Sequence, residues 1–345
     1  MAGREYTAVE GFRFFLFLGV FVFHCISRWF PVGWWGVEAF LVIGAYFLTS
    51  KYLSVDRKDI SVGKAFVRRI KRLYPVYLAI TLPVSAVIIA FMHRSYSEPL
   101  WYIFSLQNFR CLFGGTGYSL DFMLGHFWYI GLDVWLFLLW LLILRLVPGK
   151  HLRKAFAISI CLGVLWRTLF IILRPDNPAI SYMIPLGQLD CWSIGGMLAL
   201  NMREKGKNSS ICLTEIIIGI AGIIALFICN SVMNSCSLWE GYQLFHSAQG
   251  YMLNPVTGNI HLFFAILTAG ILRYCLDTSR RHPVLSAAPL VTLGGMTYEL
   301  YCFHFPVQAI IRHFIGNEVI MIAAVLIVTY IIALTWKKLI SWRFN

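Results

Sequence analysis

Arg13 and His24 stand eleven residues apart inside the first strongly apolar stretch of the chain. Eleven residues at about 100° each return to nearly the same helix face, roughly 16 Å further along the axis. A guanidinium can hold an anion, and an imidazole can take a proton near neutral pH. Charged and ionisable groups are costly in lipid, so two of them on one stripe of an apolar helix point to a buried polar path. An anion-holding group lies at one end of that path and a proton acceptor at the other.

Further ionisable residues lie inside other apolar runs: Glu38, Asp133, Arg167, Asp190 and His304. His126 and Asp133 are seven apart and share a face with Trp140, while Thr297, Tyr301 and His304 share another by four-and-three spacing. A carboxylate that accepts from one imidazole nitrogen fixes the tautomer and leaves the other nitrogen as a base. Glu38 and Asp133 are the candidates to do that for His24. Plainer roles exist for each residue. An intramembrane histidine can simply hydrogen-bond between helices, and Arg13 can snorkel to lipid phosphate. Asp190, beside Trp192 and the Gly195-Gly196 pair, can be structural glue, and Arg167 can form a buried ion pair with Asp133 or Asp190. Periodicity by itself leaves an enzyme cavity and a transport path both open.

The elements that must position these groups are membrane helices. Hydrophobic residues make up 59% of the 345 and charged residues 13%, with a mean hydropathy of +0.72; a soluble chain carries about 25% charged residues. Apolar runs long enough to span a bilayer fall at 10–28, 33–52, 73–92, 126–147, 154–173, 181–201, 210–231, 257–275, 288–311 and 317–338. The run from Leu100 to Leu106 is too short to cross and reads as an interfacial or re-entrant segment. No small-residue cleavage pattern follows the first apolar run, so it is expected to be retained as a span. The expected fold is an all-α polytopic membrane bundle of about ten helices, one domain over 1–345.

Lys and Arg placement supports that count. They concentrate at Arg4, 51–72, 145–154, 203–207, 273–281 and 337–343, whereas the opposite side carries only Arg28, Arg94, Arg110, Arg174 and Arg312. By the positive-inside rule the rich side, with both termini, is cytoplasmic. The net charge of +13 is therefore topogenic, and no nucleic-acid partner is implied. His24, Glu38, Asp133, Arg167, Asp190 and His304 then share the outer half of six different spans, which implies a common cavity. Nine cysteines occur without a C-x-x-C pair, which indicates neither a metal site nor a disulfide framework; only Cys229 and Cys236 are placed to meet. The long outward loop 232–256 carries Trp239, Tyr242, Phe245 and Tyr251, aromatics that suit either sugar stacking or the membrane interface.

Several segments resemble motifs of one family. Glu10-Gly-Phe-Arg13 with His24 is similar to an Arg-x(10)-His signature. Gly36-Val-Glu-Ala-Phe-Leu-Val-Ile-Gly-Ala-Tyr46 is similar to a second-span motif, with Gly44-Ala45 where Ser-Gly is usual. Arg69-Ile-Lys-Arg72-Leu-Tyr-Pro75 looks like an Arg-x-x-Arg motif leading into Tyr-Pro. His126-Phe-Trp-Tyr-Ile-Gly-Leu-Asp133 is similar to a His-x-Trp run ending in Glu, here Asp. Leu189-Asp190 with Gly195-Gly196 suits the sixth span, and Gly294 to His304 looks like an Ile-Ser-Tyr-x-x-Tyr-x-x-His segment. Together, in order, these resemble the integral-membrane acyltransferase-3 family, which O-acylates sugars and glycans of bacterial envelopes.

The resemblance implies a cytoplasmic acyl-CoA donor, such as acetyl-CoA, a sugar or glycan hydroxyl as acceptor, no metal, and a bacterial inner-membrane setting. It implies that Arg13, Arg69 and Arg72 hold the donor phosphates, as guanidinium forks can. His24 would act as general base or transient acyl carrier, with Glu38 or Asp133 behind it. His126, Trp128, Arg167, Asp190, Tyr298, Tyr301 and His304 would line the acceptor side. A secondary transporter or flippase for a lipid-linked sugar is the rival reading, since it would share a midplane ionisable cluster.

Overall fold

The computed structural model describes residues 6–92, 98–113, 121–205, 209–247, 250, 252, 254–277 and 282–343. Tyr251 of the aromatic loop, and Arg4, Arg94, Lys207, Arg280 and Arg281 of the charge bias, lie outside the described residues. Among the described residues the fold is all-helical. Ten helices have fifteen residues or more: α1 (Thr7–Ile26), α2 (Trp35–Tyr52), α3 (Val62–Met92), α4 (Trp128–Leu146), α5 (Leu152–Leu173), α6 (Leu189–Lys205), α7 (Ser209–Met233), α8 (Ile260–Leu276), α9 (Thr297–Ile311) and α10 (Glu318–Arg343). Six stretches are long and apolar enough to cross a bilayer: Thr7–Ile26, Gly125–Leu146, Gly149–Leu173, Ile211–Met233, Thr257–Leu276 and Glu318–Leu339. The chain is a multi-pass membrane protein.

Helices α2, α3, α6 and α9 fall outside that set of six, and the expected apolar runs differ from the observed helices for local reasons. The run 181–201 is broken. A proline disfavours helical backbone at the residue before it, and Ile184, before Pro185, is extended at φ −74° and ψ 142°. A short helix Ala179–Met183 and a 3-10 turn Pro185–Gln188 therefore precede α6. The run 288–311 is likewise split into a helix Ala288–Gly294 and α9, with Gly295 and Met296 between them. The basic stretch just before the third run lies outside every expected span. It forms the first turns of α3, whose 31 residues include Pro75 and Pro83. Past Gly63 those turns hold strong helix formers, so Arg68, Arg69 and Arg72 ride on a rigid element.

Broken backbone at membrane depth is tolerated where protein satisfies it. Asn108 Nδ2 donates to the Met183 carbonyl at 2.8 Å, Gln188 Nε2 to Tyr182 at 3.3 Å, and Arg167 Nη1 to Gly187. The non-crossing segment is handled the same way. Its helical turn Glu98–Ile103 and 3-10 helix Gln107–Phe113 bury Tyr102, Ser105, Gln107 and Asn108. Gln107 Nε2 and Asn108 Nδ2 donate to the Phe127 and Trp128 carbonyls at the start of α4, and Trp135 Nε1 donates to the Ser105 carbonyl.

Helix α2 is buried on nearly every side and packs between α6, α8, α1 and α4. Its approach to α6 needs a residue without a side chain, because a Cβ on Gly195 would overlap the Val42 carbonyl. Helices α5, α7 and α10 instead bury one face and expose Leu162, Leu165, Ile217, Ile224, Ile320 and Ile331. That is the arrangement expected where lipid, not water, is the neighbour.

One ion pair ties α5 to α6 in the interior. Arg167 and Asp190 are both fully buried. Arg167 Nη1 donates to Asp190 Oδ1 at 2.9 Å and Nη2 to Oδ2, while Arg167 Nε reaches Asn259 Oδ1 at 3.2 Å. Removing one partner leaves an uncompensated buried charge, which costs about 3–5 kcal/mol. Asp190→Leu is therefore expected to lower the melting temperature of the detergent-solubilised protein sharply, and Arg167→Met with Asp190→Leu to recover most of it. A double variant as unstable as the single one would refute a purely structural pair. Gly195→Val is expected to destabilise by about 1–3 kcal/mol through overpacking, read in the same melt; an unchanged melt would show that α2 and α6 can separate freely.

Candidate active site

The site has two parts: a cation-lined cavity and a histidine cluster beyond its inner end. The cavity holds about 540 Å³ and is lined by Arg13 of α1, Lys51 of α2 and Arg68, Arg69 and Arg72 of α3. Arg68 and Arg72 are exposed, whereas Trp192 and Tyr301, which also line it, are buried. The cavity thus runs from a basic outer end to an aromatic inner end formed by Phe40, Tyr129, Trp192, Tyr298 and Tyr301. Helix α2 supplies the wall opposite the arginines through Phe40, Ile43, Gly44, Phe47 and Leu48, one face of a helix by spacing.

The expected anion-holding residues come together here. Arg13 Nη1 donates to both Glu10 carboxylate oxygens, at 3.0 and 2.8 Å. Arg69 Nη2 donates to Asp133 Oδ2 at 2.5 Å, and the guanidinium lies 5.1 Å from the Phe137 ring centre. Arg72 makes no ion pair among the described residues. Tyr298, on the cavity wall, donates its hydroxyl to the Leu73 carbonyl at 2.8 Å.

The histidine cluster draws on three elements: His24 near the end of α1, His126 in the 3-10 turn Gly125–Phe127 that leads into α4, and His304 in α9. A backbone carbonyl can only accept, so the 2.7 Å contact between His304 Nδ1 and the Tyr301 carbonyl puts a proton on Nδ1. In neutral His304 the other nitrogen, Nε2, carries a lone pair. His24 Nδ1 lies 2.7 Å from that Nε2 and is therefore the donor. The lone pair of His24 is left on Nε2, which no described residue occupies. His126 is fixed by the same logic: Nε2 donates to the Cys302 carbonyl at 3.2 Å. Its Nδ1 is then a buried acceptor with no partner among the described residues. Gln308 anchors α9 to α1 by donating to the His24 carbonyl at 2.5 Å.

This differs from the expected pairing. Neither Glu38 nor Asp133 touches His24. Glu38 lies on the side of α2 that faces α8, and its Oε1 meets His261 Nδ1 at 2.9 Å, both residues buried. Asp133 is taken by Arg69, which α3 carries because it starts at Val62, ahead of the expected third run. The place behind His24 belongs to His304, which was expected on the acceptor side. Arg167 and Asp190 pair with each other, with no contact to His24, His126 or His304, and Trp128 packs its ring against Tyr182 at 5.5 Å. The six ionisable groups assigned to one layer thus divide among four separate pairings rather than facing one cavity.

Tyr301 stands between the two parts. Its ring lines the cavity, its hydroxyl donates to the His126 carbonyl, and its centroid lies 5.2 Å from His126, 5.5 Å from His304 and 5.4 Å from Tyr129. His24 itself does not line the cavity. His261, Gln107, Asn108 and Gln308 were missed from sequence. The signal for them is one or two polar residues beside apolar or aromatic ones, which fits a structural hydrogen bond equally well.

Comparison with known proteins agrees with the architecture. The chain is 24% identical to O-acetyltransferase OatA of Staphylococcus aureus, over 99% of this chain and 56% of that protein. It is 25% identical to the putative peptidoglycan O-acetyltransferase YrhL of Bacillus subtilis, over 96% and 53%. It is 23% identical to the peptidoglycan O-acetyltransferase OatA of Listeria monocytogenes, over 88% and 50%. The chain thus spans about half the length of these relatives. No solved structure matches it. A model described as an acyltransferase domain matches residues 6–337, and with helices, arginine cavity and histidine cluster in place the chain belongs to that family, acyltransferase 3.

Proposed function

We propose that this protein moves an acetyl or other short acyl group from acyl-CoA to a hydroxyl of a cell-envelope sugar or glycan. The observation that carries this reading is His24: a base with an oriented, unoccupied nitrogen, on the same helix as an arginine of a cation-lined cavity. The cavity fits the donor class. Its basic outer end suits phosphates, and its apolar wall along α2 suits an uncharged arm ending in a thioester. A space with a cationic end and an aromatic end is less useful to a transported neutral sugar. Ten membrane-crossing helices, cytoplasmic termini and a cytoplasmic donor side in a bacterial inner membrane complete the reading, with the basic turns of α3 serving both topology and binding.

In this scheme His24 Nε2 accepts the proton of the acceptor hydroxyl as its oxygen attacks the thioester carbonyl. The carbon–sulfur bond breaks, and CoA leaves as a thiolate that regains a proton. His304 stabilises the charged His24 by accepting from Nδ1, the part that a carboxylate plays in many base dyads. The acyl group can equally reside for a time on His24 Nε2 before reaching the hydroxyl. In either order Tyr129 and Tyr301 must move aside for the thioester carbon to reach His24.

Acetyl-CoA titrated into the protein in nanodiscs, with free thiol as the readout and crude glycan as acceptor, tests the reading. His24→Ala is expected to keep CoA binding and lose turnover by about 10²–10⁴-fold, the usual worth of a positioned base. Arg72→Ala is expected to weaken CoA binding. His304→Gln, which cannot reproduce the imidazole relay, is expected to lower turnover and displace the pH profile. A wild-type protein that neither binds CoA nor releases thiol would sink the proposal, as would full activity in His24→Ala.

A further inference from the structure

Asp133 is a buried carboxylate that the histidine chemistry does not use. It sits on α4 with Tyr129 one turn before it and Phe137 one turn after it, a single helix face. Both flanking rings line the cavity, but Asp133 does not. It is 3% exposed, and its one ion pair among the described residues is with Arg69. The Arg69 guanidinium is therefore fixed from two directions, by the carboxylate at 2.5 Å and by the Phe137 ring at 5.1 Å. Only Nη2 is used in that contact, and Arg69 Nε has no partner among the described residues. Arg69 itself lines the cavity, so the contact with Asp133 holds a cavity-lining guanidinium in place.

We propose that Asp133 is a positioning residue of the donor cavity, setting the Arg69 guanidinium for an anionic donor from behind the cavity wall. The proposal rests on the reading of the cavity as the acyl-CoA site. Electrostatics gives it a sign that a bystander carboxylate would not share. The cavity gathers Arg13, Lys51, Arg68, Arg69 and Arg72. Removing a nearby negative charge from such a cluster strengthens its attraction for a polyanion. A carboxylate that is merely present would thus, when neutralised, leave CoA binding the same or tighter. A carboxylate that fixes a guanidinium would, when neutralised, weaken binding, because the freed side chain must be ordered again by the ligand.

The test is CoA affinity, measured by calorimetry on the full chain in nanodiscs, alongside turnover at saturating acetyl-CoA across pH. Asp133→Asn is expected to weaken CoA binding roughly tenfold, the worth of one hydrogen bond to a charged group, with turnover at saturation and its pH profile unchanged. Asp133→Glu, which keeps the charge, is expected to restore most of the affinity. In an Arg69→Ala background the same Asp133→Asn change is expected to cost nothing more. Melting temperatures of all five proteins separate misfolding from weak binding, and Asp133→Glu keeps the question open to measurement if Asp133→Asn does not fold. Equal or tighter CoA binding by Asp133→Asn would overturn the proposal, and so would reduced saturated turnover with a displaced pH profile, which would return Asp133 to the histidines. Absence of CoA binding by the wild type is a separate outcome that removes the donor-site reading and this proposal together.

Discussion

Much of this molecule answers to the cost of an unpaired polar group where water does not reach. A buried N–H, carbonyl or charge surrounded by apolar side chains and lipid must find its partner inside the protein. Arg167 shows how far that requirement reaches. Its guanidinium neutralises Asp190, donates to the Gly187 carbonyl freed by the Pro185 break, and reaches Asn259 ahead of α8. One side chain thereby joins α5, the start of α6 and the turn before α8. Gln107 and Asn108 do the same for the segment that does not cross.

The same requirement arranges the histidines. An imidazole has two nitrogens, and the backbone decides which of them is available. The Tyr301 carbonyl sets His304, His304 sets His24, and the Cys302 carbonyl sets His126. Three ring tautomers are thus fixed with backbone carbonyls of α9 and no buried carboxylate, so the cluster needs no second charge at that depth. Carboxylates are used instead where a cation needs one: Asp133 with Arg69, Asp190 with Arg167, and Glu215 with Arg273 at 2.7 Å.

Much of the helical layout was legible because lipid imposes a length on apolar runs, and each of the ten runs contains a long helix. The Arg13–His24 spacing was legible because a single helix carries both. What was not legible depended on the third dimension. Nothing in the order of residues says which face of α2 meets α8, so Glu38 could not be assigned to His261. The helical start of α3 removed Asp133 from the histidines by bringing Arg69 to it, and basic residues near an apolar run read equally as loop or helix. The Pro185 and Gly294-Gly295 breaks were visible as residue types but lay within runs apolar enough to mask them.

The aromatic partition at the inner end of the cavity has an electrical consequence. In a multi-pass membrane protein, a cation-lined recess with imidazoles past its floor would lie within whatever voltage the membrane sustains. A water-filled connection between the two would let protons run down that voltage, at about 2.3 kcal/mol per elementary charge for each 100 mV. Tyr301, 3% exposed and bonded to the His126 backbone, and Tyr129 packed against it place aromatic rings between the cavity and the histidines. Aromatic carbon in that position opposes such a leak, because it offers a proton no hydrogen-bonded path.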